Sequence, residues 1–344
     1  MKFRPCPGVC VWELTLACNA RCIHCGSSAG RVRDRELDAQ EALRLCDELV
    51  GMGVKQVTLS GGEPLLRADW PDIAARLVCG GVHVDLISNG LAITPEVARR
   101  IASVGCKSVT LSVDGTPEVH DALRGVPGSF GKLVQAAAAL RAQGIPVGAS
   151  TQVCSRNLAG LPELEALLCS AGFSGWQLQL TNAHGRCAEH PELPLRPGAV
   201  AQIVRFILEA RGRGAIALYA ADNIGWMTRS EPKLRSMRRP ADRVFLGCQA
   251  ELTVVGLTSD GTVRGCLSMP PEFDEGNVRD EPLAGIWGDG KRFAYNRAFR
   301  EQDLTGACAE CAFKRVCRAG CKSLAWAAGR DLTRNDYCVR IAKP

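Results

Sequence analysis

Six times between residues 9 and 213, a short β-branched run gives way to an Ala-, Leu- and Arg-rich stretch of helical periodicity. Strands are predicted over 10–16, 54–60, 82–88, 108–113, 147–153 and 176–180. Helices are predicted near 38–52, 70–79, 95–104, 130–143, 161–171 and 197–213. Buried strands alternating with amphipathic helices point to an α/β architecture in which a parallel sheet curls toward a barrel. Right-handed crossovers gather the C-terminal ends of the strands on one face, where such barrels carry chemistry. The motifs of this segment fall at those ends.

The pattern stops after Arg213. Residues 214–247 read as a linker with basic helical pieces at 231–239. From Cys248 the chain turns to short strands and turns, among them 252–255 and the hairpin signal Ser259-Asp260-Gly261. Apolar periodicity is too thin there for an independent core, so this region of about a hundred residues is expected to need metal to hold its fold. The expected organisation is a barrel over 1–213, a bridge over 214–247 and a cysteine-rich domain over 248–344. A chain of 344 residues also exceeds the usual size of a single core.

Hydrophobic residues make up 46% and charged residues 23% of the chain, as in ordinary globular proteins. No apolar run approaches the roughly 20 residues of a membrane span, and the start MKFRPCPG lacks a signal-peptide core. A cytoplasmic protein without a membrane partner is expected. In that compartment eighteen cysteines indicate metal rather than disulfides. The net charge of +6 is uneven, with twelve Lys and Arg against five Asp and Glu from Lys291 onward. Thiolate-held clusters are anions that call for such compensation. Without aromatic interleaving, the basic tail does not read as a nucleic-acid surface.

Ten cysteines fall into two ordered groups. Cys18, Cys22 and Cys25 form a C-x3-C-x2-C directly after the first strand. Cys248 and Cys266 follow as C-x12-G-x4-C, then Cys308, Cys311, Cys317 and Cys321 as C-x2-C-x5-C-x3-C, and finally Cys338. Thiolates at such spacings can converge on iron–sulfur clusters, and three ligands leave one iron open to a substrate or cosubstrate. A zinc loop short of one ligand is the rival reading of the first motif. The second strand ends in Ser60-Gly61-Gly62-Glu63-Pro64, where two glycines let backbone approach a ligand and Glu63 can accept from an ammonium group. The third ends in Ser88-Asn89-Gly90 and the fourth in Ser112-Val113-Asp114-Gly115, polar groups suited to a ribose. Taken singly, each of these is an ordinary turn.

Of the other cysteines, Cys46, Cys79, Cys106 and Cys169 sit in helical or adjoining strand patterns and read as small core residues. Cys6, Cys10 and Cys154 have no assigned part. Cys187, in the loop after the sixth strand, lies on the expected substrate face; it reads as a buried thiol or as a ligand or redox group. Trp176 and Trp326 read as packing residues.

Together these motifs resemble a radical S-adenosylmethionine (SAM) enzyme with a C-terminal SPASM extension, over nearly the whole chain. The resemblance implies a partial (β/α)6 barrel of the radical SAM type followed by a cysteine-rich SPASM domain. It implies that Cys18, Cys22 and Cys25 hold a 4Fe-4S cluster whose open iron chelates SAM, with no catalytic residue assigned beyond the cluster ligands. His24 takes the place of the aromatic that packs on adenine, and Gly61, Gly62 and Glu63 that of the turn binding the methionine amino group. Asn89, Ser112 and Asp114 fall where ribose and carboxylate contacts are made. Two auxiliary 4Fe-4S clusters are implied, three in all: one on Cys248, Cys266 and Cys321, the other on Cys308, Cys311, Cys317 and Cys338.

Two departures narrow the reading. Anaerobic sulfatase maturases of this family carry a further Cys shortly after the first SPASM cysteine and an Asp directly after the second. Residues 251–255 hold no Cys here, and Leu267 stands where the Asp would be. Seventeen residues precede Cys18, too few for a fused leader-binding domain, so a separate leader-binding protein is an expected partner. The function expected is modification of a ribosomally made peptide by crosslinking, oxidation or epimerisation, with a flavodoxin- or ferredoxin-type electron donor. A tetrapyrrole or sugar substrate is the alternative within the family. A non-catalytic iron–sulfur or zinc protein is the alternative outside it, against which Ser60–Pro64 argues, since an electron carrier needs no aminoacyl-binding turn.

Overall fold

The computed structural model describes residues 7–236 and 243–341. Cys6 and part of the basic stretch 231–239 lie outside them. In chain order the elements are β1 (Val9–Glu13), α1 (Ala39–Gly51), β2 (Gln56–Ser60), α2 (Trp70–Cys79), β3 (His83–Ser88), α3 (Pro95–Ser103) and β4 (Ser108–Ser112). There follow α4 (Pro117–Arg124), α5 (Ser129–Ala142), β5 (Val147–Val153), α6 (Leu161–Ser170), β6 (Gly175–Leu180), α7 (Val200–Arg213) and β7 (Ala217–Ala220). β1 to β7 pair in parallel in that order. Trp12, Leu59, Leu86, Val109 and Val147 occupy matched register positions across five strands and are all buried. Such apolar continuity is what a parallel sheet covered on both sides requires.

Local chemistry starts the helices where the periodicity places them. Asp38 accepts from the Glu41 amide while the Glu41 side chain accepts from the Asp38 amide, a capping box that opens α1. Thr94 accepts from Val97 N ahead of Pro95 in α3.

The structure differs from the sequence reading in four places. β1 leaves the ladder at Glu13 rather than at residue 16, because Thr15 and Ala17 give their carbonyls to Gly62 N and Glu63 N instead. A seventh parallel strand, β7, lies in the stretch read as linker, four residues long and only partly buried. Helix α4 precedes α5 in the β4–β5 crossover; its Pro117-Glu118 start and Gly125 stop are signals the apolar pattern alone did not show.

The fourth difference concerns the C-terminal part. β8 (Val254–Leu257) adds in parallel to the free edge of β1, with Val9 opposite Val254 and Trp12 opposite Leu257. β9 (Thr262–Arg264) and β10 (Asp274–Asn277) continue the sheet as an antiparallel meander, with the predicted hairpin joining β8 to β9. The result is one ten-stranded sheet, ordered β10-β9-β8-β1 through β7. Val255, Leu257, Val263, Leu283, Ile286, Trp287 and Phe293 join the same core as the barrel. Residues 254–293 are therefore packed on apolar surface rather than left to metal. From 306 onward the helices are short, such as Gly306–Ala309 and Lys314–Cys317, and among the described residues there Leu324 alone is a buried member of that core.

Trp176 is fully buried, as its packing reading requires. Cys46 and Cys106 are core residues and Cys169 is half-buried, whereas Cys79, closing α2 at its surface end, is exposed. Among the described residues no helix is long and apolar enough to cross a membrane.

Candidate active site

The loop carrying Cys18, Cys22 and Cys25 is tied down from three directions. Arg21 N and Ile23 N donate to the carbonyls of Arg124 and Leu123 at the end of α4, at 3.1 and 3.0 Å. Arg186, from the loop after β6, donates to the carbonyls of Cys22 and Ala29, both at 2.7 Å. N–H groups also point at the sulfurs: Ala20 N at Cys18 Sγ (3.5 Å), Ala29 N at Cys25 Sγ (3.4 Å) and Arg124 Nη1 at Cys22 Sγ (3.6 Å). Donors converging on sulfur suit thiolates that carry charge.

The glycine turn after β2 is held against this loop. Gly62 N donates to Thr15 O at 2.8 Å and Glu63 N to Ala17 O at 2.7 Å. A Cβ on Gly62 would lie 2.2 Å from Ala17 O, so no side chain fits. Glu63 is fully buried; Oε1 accepts from Ser88 Oγ and Oε2 from Asn89 N, both at 2.8 Å. Burial pushes its carboxyl up to about 7 despite these donors. Asn89 Nδ2 in turn reaches Asn19 Oδ1 at 2.7 Å and Cys18 Sγ at 3.8 Å. The ends of β2 and β3 and the first cysteine thus form one connected unit.

Asp114, after β4, is also fully buried. Its Oδ2 lies 2.5 Å from Arg124 Nη2 and 2.9 Å from His24 Nε2, while Oδ1 accepts from Gln152 N at 2.9 Å. Burial alone would push Asp114 up, but Arg124 and then His24 outweigh it and hold the carboxyl well below the usual range. His120 Nδ1 accepts from Asp114 N, and burial pushes this imidazole down to about 4. His24 and Asp114 face one another in the interior, each with its polar edge turned to the other. Ser112 ends β4 half-buried opposite Ser150.

A cavity of about 270 Å³ opens on the same face. It runs from Gly26, Ser27 and Gly61 to Leu267 and Ser268, just beyond Cys266. Between these ends stand Gln152, Gln179, Asn182, His184 and Asn223. Asn182 donates to Ser323 Oγ at 3.1 Å, and its Oδ1 is buried without a partner. His184, pushed down by burial, contacts Ser323 O at 3.2 Å. Glu13 is the one charged residue of the lining and is paired with Arg33 at 2.8 Å. A larger cavity of about 590 Å³ lies by Ser108, Pro146 and Ser174, at the N-terminal ends of β4–β6, and reaches Gly247 and Gln249 on either side of Cys248.

The remaining cysteines gather in two groups. Cys248, Cys266 and Cys321 act on one another electrostatically, as do Cys308, Cys311, Cys317 and Cys338. Lys322 and Arg318 from the basic tail stand between them, acting on Cys248 and Cys317. Among the described residues no three His, Cys, Asp or Glu converge tightly enough for a single metal ion. Groups of thiols with Lys322 and Arg318 beside them suit anionic iron–sulfur clusters. Cys187 is enclosed with Cys154, Leu123 and Leu193, and burial pushes its thiol up to about 11.

Sequence reading missed Arg124, Arg186, Gln152 and the amide set of the cavity. The Pro-to-Gly frame of α4 gave a signal for Arg124; the others stand in loops or strand ends without local mark.

A glycine turn joined to a three-cysteine loop, at the C-terminal ends of a parallel sheet, is the arrangement the resemblance implies for a cluster-dependent enzyme that handles SAM. Residues 12–165 match the radical SAM superfamily and residues 248–312 the SPASM iron–sulfur cluster-binding domain. The chain belongs to the radical SAM superfamily and is an enzyme whose cofactors are iron–sulfur clusters and SAM. It is 31% identical to the AdoMet-dependent heme synthase of Methanosarcina barkeri, over 97% of this chain and 96% of that protein. It is 32% identical to the mycofactocin maturase MftC of Mycobacterium tuberculosis, over 96% of this chain and 82% of that protein. In fold it resembles Streptococcus suis SuiB bound to precursor peptide SuiA, with a TM-score of 0.77 at 14% identity, over 97% of this chain and 76% of that one.

Proposed function

We propose that this enzyme modifies a peptide substrate, with the reacting residue held in the cavity between the first cysteine loop and Cys266. The observation that carries this reading is the lining. Gln152, Gln179, Asn182 and Asn223 present neutral amides, the chemistry that pairs with peptide backbone, and the lining includes no Lys or Arg. A tetrapyrrole bearing several carboxylates calls for cationic partners and a wide apolar slot.

In this reading Cys18, Cys22 and Cys25 hold the cluster at which SAM is reductively cleaved, supplying a 5′-deoxyadenosyl radical for hydrogen abstraction. Glu63 receives the methionine ammonium, and Gly61 and Gly62 let backbone close on it. Asn89 and Ser112 stand for the polar contacts at the strand ends. Asp114 and His24 serve by fixing the loop, since Asp114 engages Arg124, which also reaches Cys22. Cys248, Cys266 and Cys321, and Cys308, Cys311, Cys317 and Cys338, would hold two auxiliary clusters that supply a path for electrons, with a flavodoxin- or ferredoxin-type protein as electron donor. The protein's own contribution is orientation and exclusion of water.

The near full-length similarity to a heme synthase supports a second reading, a tetrapyrrole substrate. One experiment separates them. The reconstituted enzyme, SAM and a strong reductant are incubated anaerobically with short peptides encoded beside the gene and, in parallel, with a carboxylated metalloporphyrin. A mass change in a peptide with matching 5′-deoxyadenosine supports peptide modification. Turnover of the porphyrin alone overturns it.

A further inference from the structure

The first auxiliary group offers three thiols, Cys248, Cys266 and Cys321, where the second offers four. The described spare cysteines are placed elsewhere. Cys10 is buried within β1 beside Cys46, and Cys187 and Cys154 lie together near the first loop. One other residue is spaced as a ligand would be. Glu251 follows Cys248 with two residues between, the interval that separates Cys22 from Cys25 and Cys308 from Cys311.

The structure gives this glutamate an unusual setting. It is fully buried and its backbone is left-handed, with φ 69°, a conformation that disfavours Glu and persists only where surroundings enforce it. The enforcing contacts are Arg297 Nε on its carbonyl (2.7 Å) and its own amide on Val254 O (2.9 Å). Asn296 binds both partners of the interval: its backbone N–H donates to Glu251 Oε2 at 2.9 Å and its side-chain amide to Cys248 O at 2.8 Å. The other carboxylate oxygen, Oε1, is shielded from solvent and has no hydrogen-bond partner.

The carboxyl arm runs beside the backbone that leads into Cys266. A Cβ on Gly265 would lie 2.3 Å from Glu251 Cγ and 2.7 Å from Tyr295 Oη. The Tyr295 hydroxyl is shielded and unpartnered as well, and it interacts electrostatically with Glu251, Cys248, Cys266 and Cys321. Trp326 Nε1 is a third buried, unpartnered atom nearby, its ring meeting Phe273 edge-on at 4.9 Å as Tyr295 does at 5.2 Å. Buried polar atoms without partners are rare and costly, and the two of Glu251 and Tyr295 beside one set of thiols mark a group they are built to meet.

We propose that the Glu251 carboxylate is the fourth protein ligand of an iron–sulfur cluster held by Cys248, Cys266 and Cys321, with Tyr295 placed to donate a hydrogen bond at that ligand. This rests on the reading that those three thiols hold a cluster, which a Cys266→Ala variant tests by itself through loss of iron. A carboxylate there closes the cluster in the resting enzyme while remaining easier to displace than a thiolate.

The test uses the full chain, reconstituted anaerobically, in a Cys18/Cys22/Cys25→Ala background that removes the first cluster's signal. Iron content, the EPR spectrum of the reduced protein and its midpoint potential are compared among Glu251, Glu251→Ala and Glu251→Cys forms, each with and without 2-mercaptoethanol. Glu251→Ala should give altered g-values and a spectrum that shifts with the added thiol, whereas the Glu251 form should not respond. Glu251→Cys should restore insensitivity and lower the midpoint potential, because thiolate donates more charge to iron. Identical spectra and potentials in all three forms overturn the proposal, as does a thiol response in the Glu251 form equal to that of Glu251→Ala. Should Glu251→Ala lose the iron, Glu251→Cys decides: iron kept at a shifted potential supports ligation, and iron lost there too assigns Glu251 to packing alone.

Discussion

Replacing Gly62 by Ala tests whether the glycine turn and the first cysteine loop work as one unit. The added methyl would sit 2.2 Å from Ala17 O and 2.6 Å from Leu16 O, and both obstacles are backbone. Restoring ordinary contact means moving the strand-to-loop segment by about 1 Å, a displacement that can cost on the order of 100-fold in rate when reacting groups depend on it. Ala17 directly precedes Cys18 and accepts the hydrogen bond from Glu63 N, so the shift reaches a cluster ligand and the ammonium acceptor together. Overpacking of this kind costs roughly 1–3 kcal/mol of stability, which a chain of this size survives. The expected outcome is a folded protein, with iron bound, whose 5′-deoxyadenosine formation falls about 100-fold and whose SAM affinity weakens. Gly131→Ala is the control: it lies exposed near the start of α5 with nothing within 4 Å of the new methyl. Its activity should match that of the parent. A Gly62→Ala enzyme that cleaves SAM at the parent rate would refute the coupling.

Other expectations follow from single residues. Glu63, pushed up to about 7 by burial, carries its charge only above that pH, so SAM affinity should rise as pH climbs through 7 and then level off; Glu63→Gln should weaken binding and flatten the profile, and a flat profile in the parent contradicts the assignment. Replacing Cys18, Cys22 and Cys25 together by Ala should remove about a third of the iron and all 5′-deoxyadenosine, as counted by iron assay and chromatography. Asp114→Asn leaves Arg124 buried without its anion and should cost about 3–5 kcal/mol in denaturant unfolding; a loss below about 1 kcal/mol would show that the pair is dispensable. Chelation of iron should expose 306–341 to protease while 254–293 resists, because the latter shares the barrel core and the former relies on cluster binding for its folding energy. Early cleavage between β8 and β10 would contradict that division.

Much of this protein is legible in the sequence because its signals are local and periodic. Alternating β-branched and helical runs specify the parallel units, and side-chain period fixes which residues, such as Leu59 and Leu86, turn inward. Cysteine spacing announces cluster chemistry, since short intervals between like ligands need no knowledge of the fold. What the sequence does not show depends on contacts far along the chain. β8 lies against β1 across more than two hundred residues, so a stretch too short to suggest a core acquires one from the barrel. Arg124 reaches Asp114 and Cys22 only because α4 ends beside the cysteine loop, joining a strand-end acid and a loop thiol in one buried charge network. Glu251 stands out only once the fold encloses it beside Gly265 and leaves one oxygen unanswered. Periodicity selects which face of an element is buried; only the three-dimensional arrangement decides which charge or thiol waits on the other side, because desolvation and pairing act through space rather than along the chain.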